Sequence, residues 1–127
     1  MTDAKATLSL VDLDFNAACE QAHEFEVNSP KTGKPMGVFI SVLGDGAAVV
    51  REFSIREANK RRKALDASTF EEDQSIMVEA CVMRTAGWRG ITESFSLENA
   101  RKLYVVNPFI RRQVWEESNR VGNFTKV

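Results

Sequence analysis

The chain has 127 residues, with 17 Lys and Arg against 18 Asp and Glu, a formal net charge of −1, and 43% hydrophobic and 28% charged residues. That length fits a single domain, 1–127, whose core needs neither metal nor disulfide support. The balanced charge supplies no global field to draw in nucleic acid or an anionic membrane, and the longest apolar run, residues 36–43, has strand length and falls far short of the ~20 residues of a membrane span.

Residues 1–5 show no basic region followed by an apolar segment, so no signal peptide is expected. Residues 5–15 place Leu8, Leu10, Leu13 and Phe15 in near alternation, with one slip at Val11. This predicts either an edge strand or a loose lead-in. His23-Glu-Phe-Glu-Val27 alternates cleanly and predicts a strand. Ser29-Pro-Lys-Thr-Gly-Lys-Pro35 predicts a turn, because Pro30 presets φ and Gly33 tolerates φ > 0. Residues 36–43, rich in Val, Ile and Phe, predict the second strand of a hairpin.

Gly44-Asp-Gly46 then leads into a helix over residues 47–65, whose apolar positions Val49, Val50 and Phe53 thin out towards a basic end. Ser68 or Thr69 is placed to cap the next helix, with Glu71 and Glu72 favourable in its first turn. That helix is expected to run to about Ala86 and to bury Phe70, Ile76, Met77, Ala80, Cys81 and Met83. Gly87 serves as its C-terminal stop, and residues 88–95 follow as a loop. Ser96 caps a short helix carrying Leu97, Ala100, Leu103 and Tyr104. Asn107 caps a last helix with Pro108 at its first position; its apolar face is Ile110, Val114, Trp115 and Val121. Residues 122–127 form a short tail. The expected class is α+β, an N-terminal hairpin or small antiparallel sheet packed on about four helices.

The sequence offers no constellation for catalysis. His23 is the lone histidine, lies in the first predicted strand, and has no nucleophile motif near it. With one His and two distant cysteines, the ligand set of a zinc site is missing. Cys19 and Cys81 read as reduced, buried thiols, a disulfide between them being the rarer alternative. Gly44-Asp-Gly46 has the strand-to-helix context of a phosphate loop but lacks G-x-x-x-x-G-K-[ST] and G-x-G-x-x-G. Glu71, Glu72, Asp73 and Glu79 read as solvated helix charge. No catalytic residue, metal ligand or cofactor is therefore expected. Two surfaces remain as binding candidates. Trp88, Phe95, Tyr104, Phe109, Trp115 and Phe124 crowd the last third of the chain, and aromatics carry much interface energy. Phe124, beyond Gly122, and Phe109 are the expected exposed members. Trp115 is expected to be core. The second candidate is basic: Arg56, Lys60, Arg61 and Arg62, with Arg51 and Lys63 nearby, offer a contact for an acidic partner or nucleic acid, although the near-neutral total disfavours nucleic acid.

Several of these segments, in order, resemble the tail assembly chaperones of long-tailed, siphovirus-like bacteriophages. They are the Ser29-Pro-Lys-Thr-Gly-Lys-Pro35 turn, the Val42-Leu-Gly-Asp-Gly46 junction, the Gly87-Trp-Arg-Gly-Ile91 loop, and the run from Phe95-Ser-Leu-Glu-Asn-Ala-Arg-Lys-Leu-Tyr104 through Asn107-Pro-Phe-Ile-Arg-Arg-Gln-Val114 to Asn123-Phe124. The chain departs from that pattern in the short Thr92-Glu-Ser94 loop and at Gly46. The resemblance implies a non-enzymatic protein of the host cytoplasm, absent from the mature virion. Its implied role is to bind and solubilise the tape measure protein, recruit tail tube subunits, and self-associate along the partner. Two other classes stay open: a connector or minor tail protein retained in the virion, and a small nucleic-acid-binding regulator acting through residues 60–63.

Overall fold

Alternating side chains over residues 23–27 and a short apolar run over residues 36–43 each give one strand face to a core, and the Pro- and Gly-bearing turn between them lets the strands pair. The computed structural model describes residues 7–63 and 69–125. It contains strands β1 (His23–Asn28), β2 (Pro35–Val42) and β3 (Thr85–Arg89), and helices α1 (Phe15–Ala18), α2 (Ala48–Lys63), α3 (Phe70–Arg84), α4 (Leu97–Val106) and α5 (Pro108–Asn119), with a 3-10 turn at Val121–Asn123. The class is α+β: one antiparallel three-stranded sheet in the order β1-β2-β3, against five helices among the described residues, α1 being a single turn.

The hairpin pairs His23 with Val42 and Phe25 with Ile40, and a register shift past Glu26 carries β1 into the turn. Gln113 of α5 continues the ladder at that irregularity. It accepts from the Asn28 N–H at 2.9 Å and donates to the Asn28 carbonyl at 3.1 Å, so the frayed edge keeps its backbone bonds.

β3 was not expected. It occupies the predicted end of the third helix and the start of the predicted loop, and it pairs Ile40 with Trp88 and Phe39 with Arg89. The change from helix to strand happens with no intervening turn. Thr85 takes extended angles at the end of α3, and its hydroxyl donates to the Cys81 carbonyl at 2.8 Å, satisfying one of the helix's orphan acceptors. Gly87 is thus a strand residue, not a helix stop. Gly90 ends the strand at φ +86°, where an added Cβ would run into the Gly37 carbonyl.

The lead-in also differs. Residues 7–14 form no strand; a turn in which the Ser9 N–H donates to Asp12 Oδ2 (3.0 Å) leads into α1, capped by Asp14. Residues 1–6 of that expectation, the end of the second predicted helix at Leu65, and Ser68 lie outside the described residues. α2 buries Val50 and Phe53, so its apolar stripe does thin beyond Phe53. Its first turn is served from a distance: the Ala48 N–H donates to Glu20 Oε2 at 2.7 Å. Thr69 caps α3 through the Glu72 N–H (3.1 Å) and Ser96 caps α4 through the Asn99 N–H (3.0 Å), both as expected. Pro108 holds the first position of α5, but Asn107 does not cap that helix. Its side-chain amide donates back to the Leu103 carbonyl at 3.0 Å and closes α4 instead.

The core fills the space between one face of the sheet and α2, α3, α4 and α5. Val27, Ile40 and Val42 of the sheet meet Val50, Val78, Cys81, Val82, Ala100, Tyr104, Ile110 and Val114. Both cysteines are free and buried. Burial pushes the Cys81 thiol up from an ordinary 9.0 to about 11, against the smaller opposing pull of the Arg84 and Arg111 charges. The Tyr104 phenol is raised for the same reason. Both folded-state values exceed the unfolded ones, so their stabilising share is complete below about pH 9 and fades as pH rises. Stability should therefore fall between pH 9 and 11, by at most about 1.4 kcal/mol per pH unit for Cys81. Cys81→Ala should flatten that decline in urea titrations, and an unchanged slope would contradict the assignment.

Candidate partner-binding surface

The aromatic residues of the last third do not form one patch. Tyr104 is wholly buried. Its hydroxyl lies 2.6 Å from the Thr85 hydroxyl, and because the Thr85 proton already serves the Cys81 carbonyl, Tyr104 is the donor. Phe124, expected in an exposed tail, is only 9% exposed. The 3-10 turn folds the chain back, held by Asn123 donating to the Glu117 carbonyl (2.9 Å) and carboxylate (2.7 Å), and the Phe124 ring meets His23 edge-on at 6.1 Å. Val121, assigned to the α5 face, is exposed at the start of that turn. Trp88 and Phe95 are half-buried against each other, centroids 5.2 Å apart and planes near perpendicular; Trp88 Nε1 donates to the Glu93 carbonyl at 2.9 Å. Trp115, expected in the core, is half-buried at its margin, where the Arg84 guanidinium stacks 4.2 Å from the ring centre. Of the expected exposed aromatics, Phe109 alone is exposed, at the second position of α5.

The basic candidates all lie exposed on α2. Lys60 pairs with Glu57 at 3.3 Å and Arg61 with Asp73 at 3.7 Å, so part of that charge is answered within the chain.

A more apolar opening lies elsewhere. A cleft of about 480 Å³ runs between α3 and the α4–α5 corner, lined by Phe70, Gln74, Val78, Arg101, Val105 and Pro108 among others. Phe70 is 73% exposed and Val105 62%. Phe70 was expected in the core, but as the first residue of α3 it projects past the end of the packed stripe. Polar groups frame the cleft: Arg101 pairs with Glu79, and Arg111 donates to Gln74 Oε1 at 2.8 Å. A second hollow of about 410 Å³ lies on the other side of α4, with Trp88, Ile91, Leu103 and Val106 in its wall. The end of α4 thus stands between two apolar recesses. Val105 and Val106 were legible by subtraction: once Ala100, Leu103 and Tyr104 are assigned inwards, the two valines have no core left to enter.

Arg111 was not anticipated as a structural residue. It is buried, and its guanidinium donates to the Tyr104 carbonyl and to Gln74, both at 2.8 Å. Among the described residues no group of three or more His, Cys, Asp or Glu gathers as a metal site, and no helix is long and apolar enough to cross a membrane. No known family, curated protein or solved structure matches the chain.

Proposed function

We propose that this chain is a tail assembly chaperone of a long-tailed bacteriophage, a binding protein without catalytic activity. It takes an apolar helix of the tape measure protein into the cleft between α3 and the α4–α5 corner. The observation that carries the reading is that cleft, with Phe70 and Val105 exposed in its wall. Its size suits side chains from one face of a helix, spaced i and i+4, in the helix-in-groove mode. Polar groups at the rim, Glu79, Arg101 and Gln74, leave the centre apolar, the arrangement found where buried contacts carry the affinity. Support also comes from the order of the turn, junction and C-terminal segments described above. In this role the protein works in the host cytoplasm, keeps the tape measure helix soluble, helps recruit tail tube subunits, and leaves before the virion is complete. Detection of the chain in purified particles would favour a retained tail component instead.

Co-expression with the tape measure protein of the same phage tests the proposal. The wild-type chain should hold the partner in the soluble fraction. Phe70→Asp combined with Val105→Lys should cut that fraction about tenfold, the range of a single interface hot spot, and Phe109→Ala should reduce it as well. All three positions are exposed, so melting temperatures should stay within about 2 °C of wild type. Normal solubilisation by these variants, with loss on Arg61→Glu and Arg62→Glu, would move the contact to α2.

A further inference from the structure

Helix α3 turns one row of side chains towards the Phe70 cleft. Phe70, Gln74 and Val78 are spaced i, i+4 and i+8, and all three line it. Phe70 is exposed and Val78 buried, and the one polar member, Gln74, stands half-buried between them. A helix that covers Phe70 and Val78 passes over Gln74 and takes its amide out of water. Gln74 is therefore the point at which an otherwise apolar contact must satisfy a polar group or leave it unpaired.

The orientation of that amide is decided within the chain. Arg111 Nη2 donates to Gln74 Oε1 at 2.8 Å. A guanidinium has donors only, so the carbonyl end of the amide faces Arg111 and the Nε2 end faces away from it. Nε2 has no hydrogen-bond partner among the described residues. Arg111 is itself buried and donates to the Tyr104 carbonyl at 2.8 Å, which makes it a firm support. The next row on α3 is Glu71, Ser75 and Glu79, and these line the same cleft. That row offers acceptors. The α3 wall thus presents one oriented donor beside a row of acceptors.

We propose, resting on the assignment of this cleft to the tape measure helix, that it selects a stretch of helix whose apolar stripe carries one glutamine or asparagine, seated against Gln74. The partner's amide carbonyl accepts from Gln74 Nε2, and its NH2 group turns to the Glu71–Ser75 row. A carboxylate in that place would meet the charges of Glu71 and Glu79. An ammonium would meet the Gln74 donor with Arg111 behind it. A primary amide is neutral and supplies an acceptor and two donors at once. A purely apolar side chain would bury Nε2 without a partner. Affinity then comes from Phe70, Val78 and Val105, and register from Gln74, because one polar position in an apolar seam sets how two helices align. A long apolar helix offers many stretches, and the unpaired donor counts against every one that lacks the amide.

Fluorescence anisotropy with stapled amphipathic helical peptides tests this on the full chain. Their apolar stripe is leucine except at one central position, which carries Gln, Met, Glu or Lys. The wild-type chain should bind the Gln peptide at least about fivefold more tightly than the Met peptide, which has the same length and no amide. The Glu and Lys peptides should bind more weakly than the Gln peptide. Gln74→Met should remove the preference, so that the Met peptide binds at least as tightly as the Gln peptide. Phe70→Asp should weaken all four peptides, which places them in the cleft. The wild-type comparison needs no variant, so it decides even where Gln74→Met folds poorly. A wild-type chain that binds the Met peptide as well as the Gln peptide, or a folded Gln74→Met chain that keeps the wild-type order, overturns the amide selection; with Phe70→Asp still weakening every peptide, the cleft assignment stands. Peptides that fail to bind at all, or that bind regardless of Phe70→Asp, overturn the cleft assignment and the amide selection with it.

Discussion

Tyr104→Ala should cost about 3–5 kcal/mol, the range for removing a large buried aromatic. That is a large share of the ~5–15 kcal/mol by which a domain is usually stable. Tyr104 sits where α4 meets α3, the sheet and α5, and none of its surface reaches solvent. Its truncation leaves a void among side chains fixed by three neighbouring elements, so collapse around the site is limited. The carbonyl of the same residue accepts from buried Arg111, and movement of α4 would strain that bond too. Tyr104→Phe separates the terms. It keeps the packing and removes the hydrogen bond to Thr85, which still donates to the Cys81 carbonyl, so the loss should be about 1 kcal/mol. Urea titration should show a lower midpoint with an unchanged slope for both variants. A Tyr104→Ala protein as stable as wild type would show that the α3–α4 packing described here is wrong.

Phe124→Ala should cost about 3 kcal/mol or slightly more, since the ring is buried and closes the sheet end of the core. This reverses the sequence-based expectation that Phe124 is an exposed member of a partner-binding surface. The ring's edge-on contact with His23 contributes about 0.5–1.5 kcal/mol beyond area, which a double-mutant cycle with His23→Ala should recover. Asn123→Ala should reproduce part of the loss, because the Asn123 amide fixes the turn that brings Phe124 inwards. Wild-type stability of Phe124→Ala would return that residue to the list of surface contacts.

The hairpin, the Thr69 and Ser96 caps and Pro108 at a helix start were legible because each is decided locally. Alternation selects a strand, a hydroxyl selects an N-cap, and a missing N–H selects the first helical position. β3 was not, because Thr85 and Gly87 carry ordinary helix-stop signals and the decisive fact is a long-range partner, the free edge of β2. Burial of Phe124 depends likewise on Asn123 reaching back to Glu117, a contact six residues apart with no pattern in composition. Phe70 misled in the opposite direction: its place in the apolar rhythm of α3 was right, but the packed stripe begins later, at Val78. The exposed cleft was therefore hidden twice: Phe70 fits the apolar rhythm of α3, and Val105 and Val106 carry no aromatic signal. The buried role of Arg111 had no signal at all, since an Arg-Arg pair near a helix start reads as surface charge.

The central claim is that an apolar helix of the tape measure protein lies in the cleft beside Phe70 and Val105. A photo-crosslinking side chain placed singly at Phe70, Val105, Phe109, Arg56 or Arg62, in the chain co-expressed with the tape measure protein, tests it most directly. All five positions are exposed, so each variant should fold. Cross-links to the tape measure protein from Phe70, Val105 and Phe109, with none from Arg56 or Arg62, are the predicted result. Cross-links confined to Arg56 and Arg62, or absent from all five positions in a complex that still co-purifies, would contradict it.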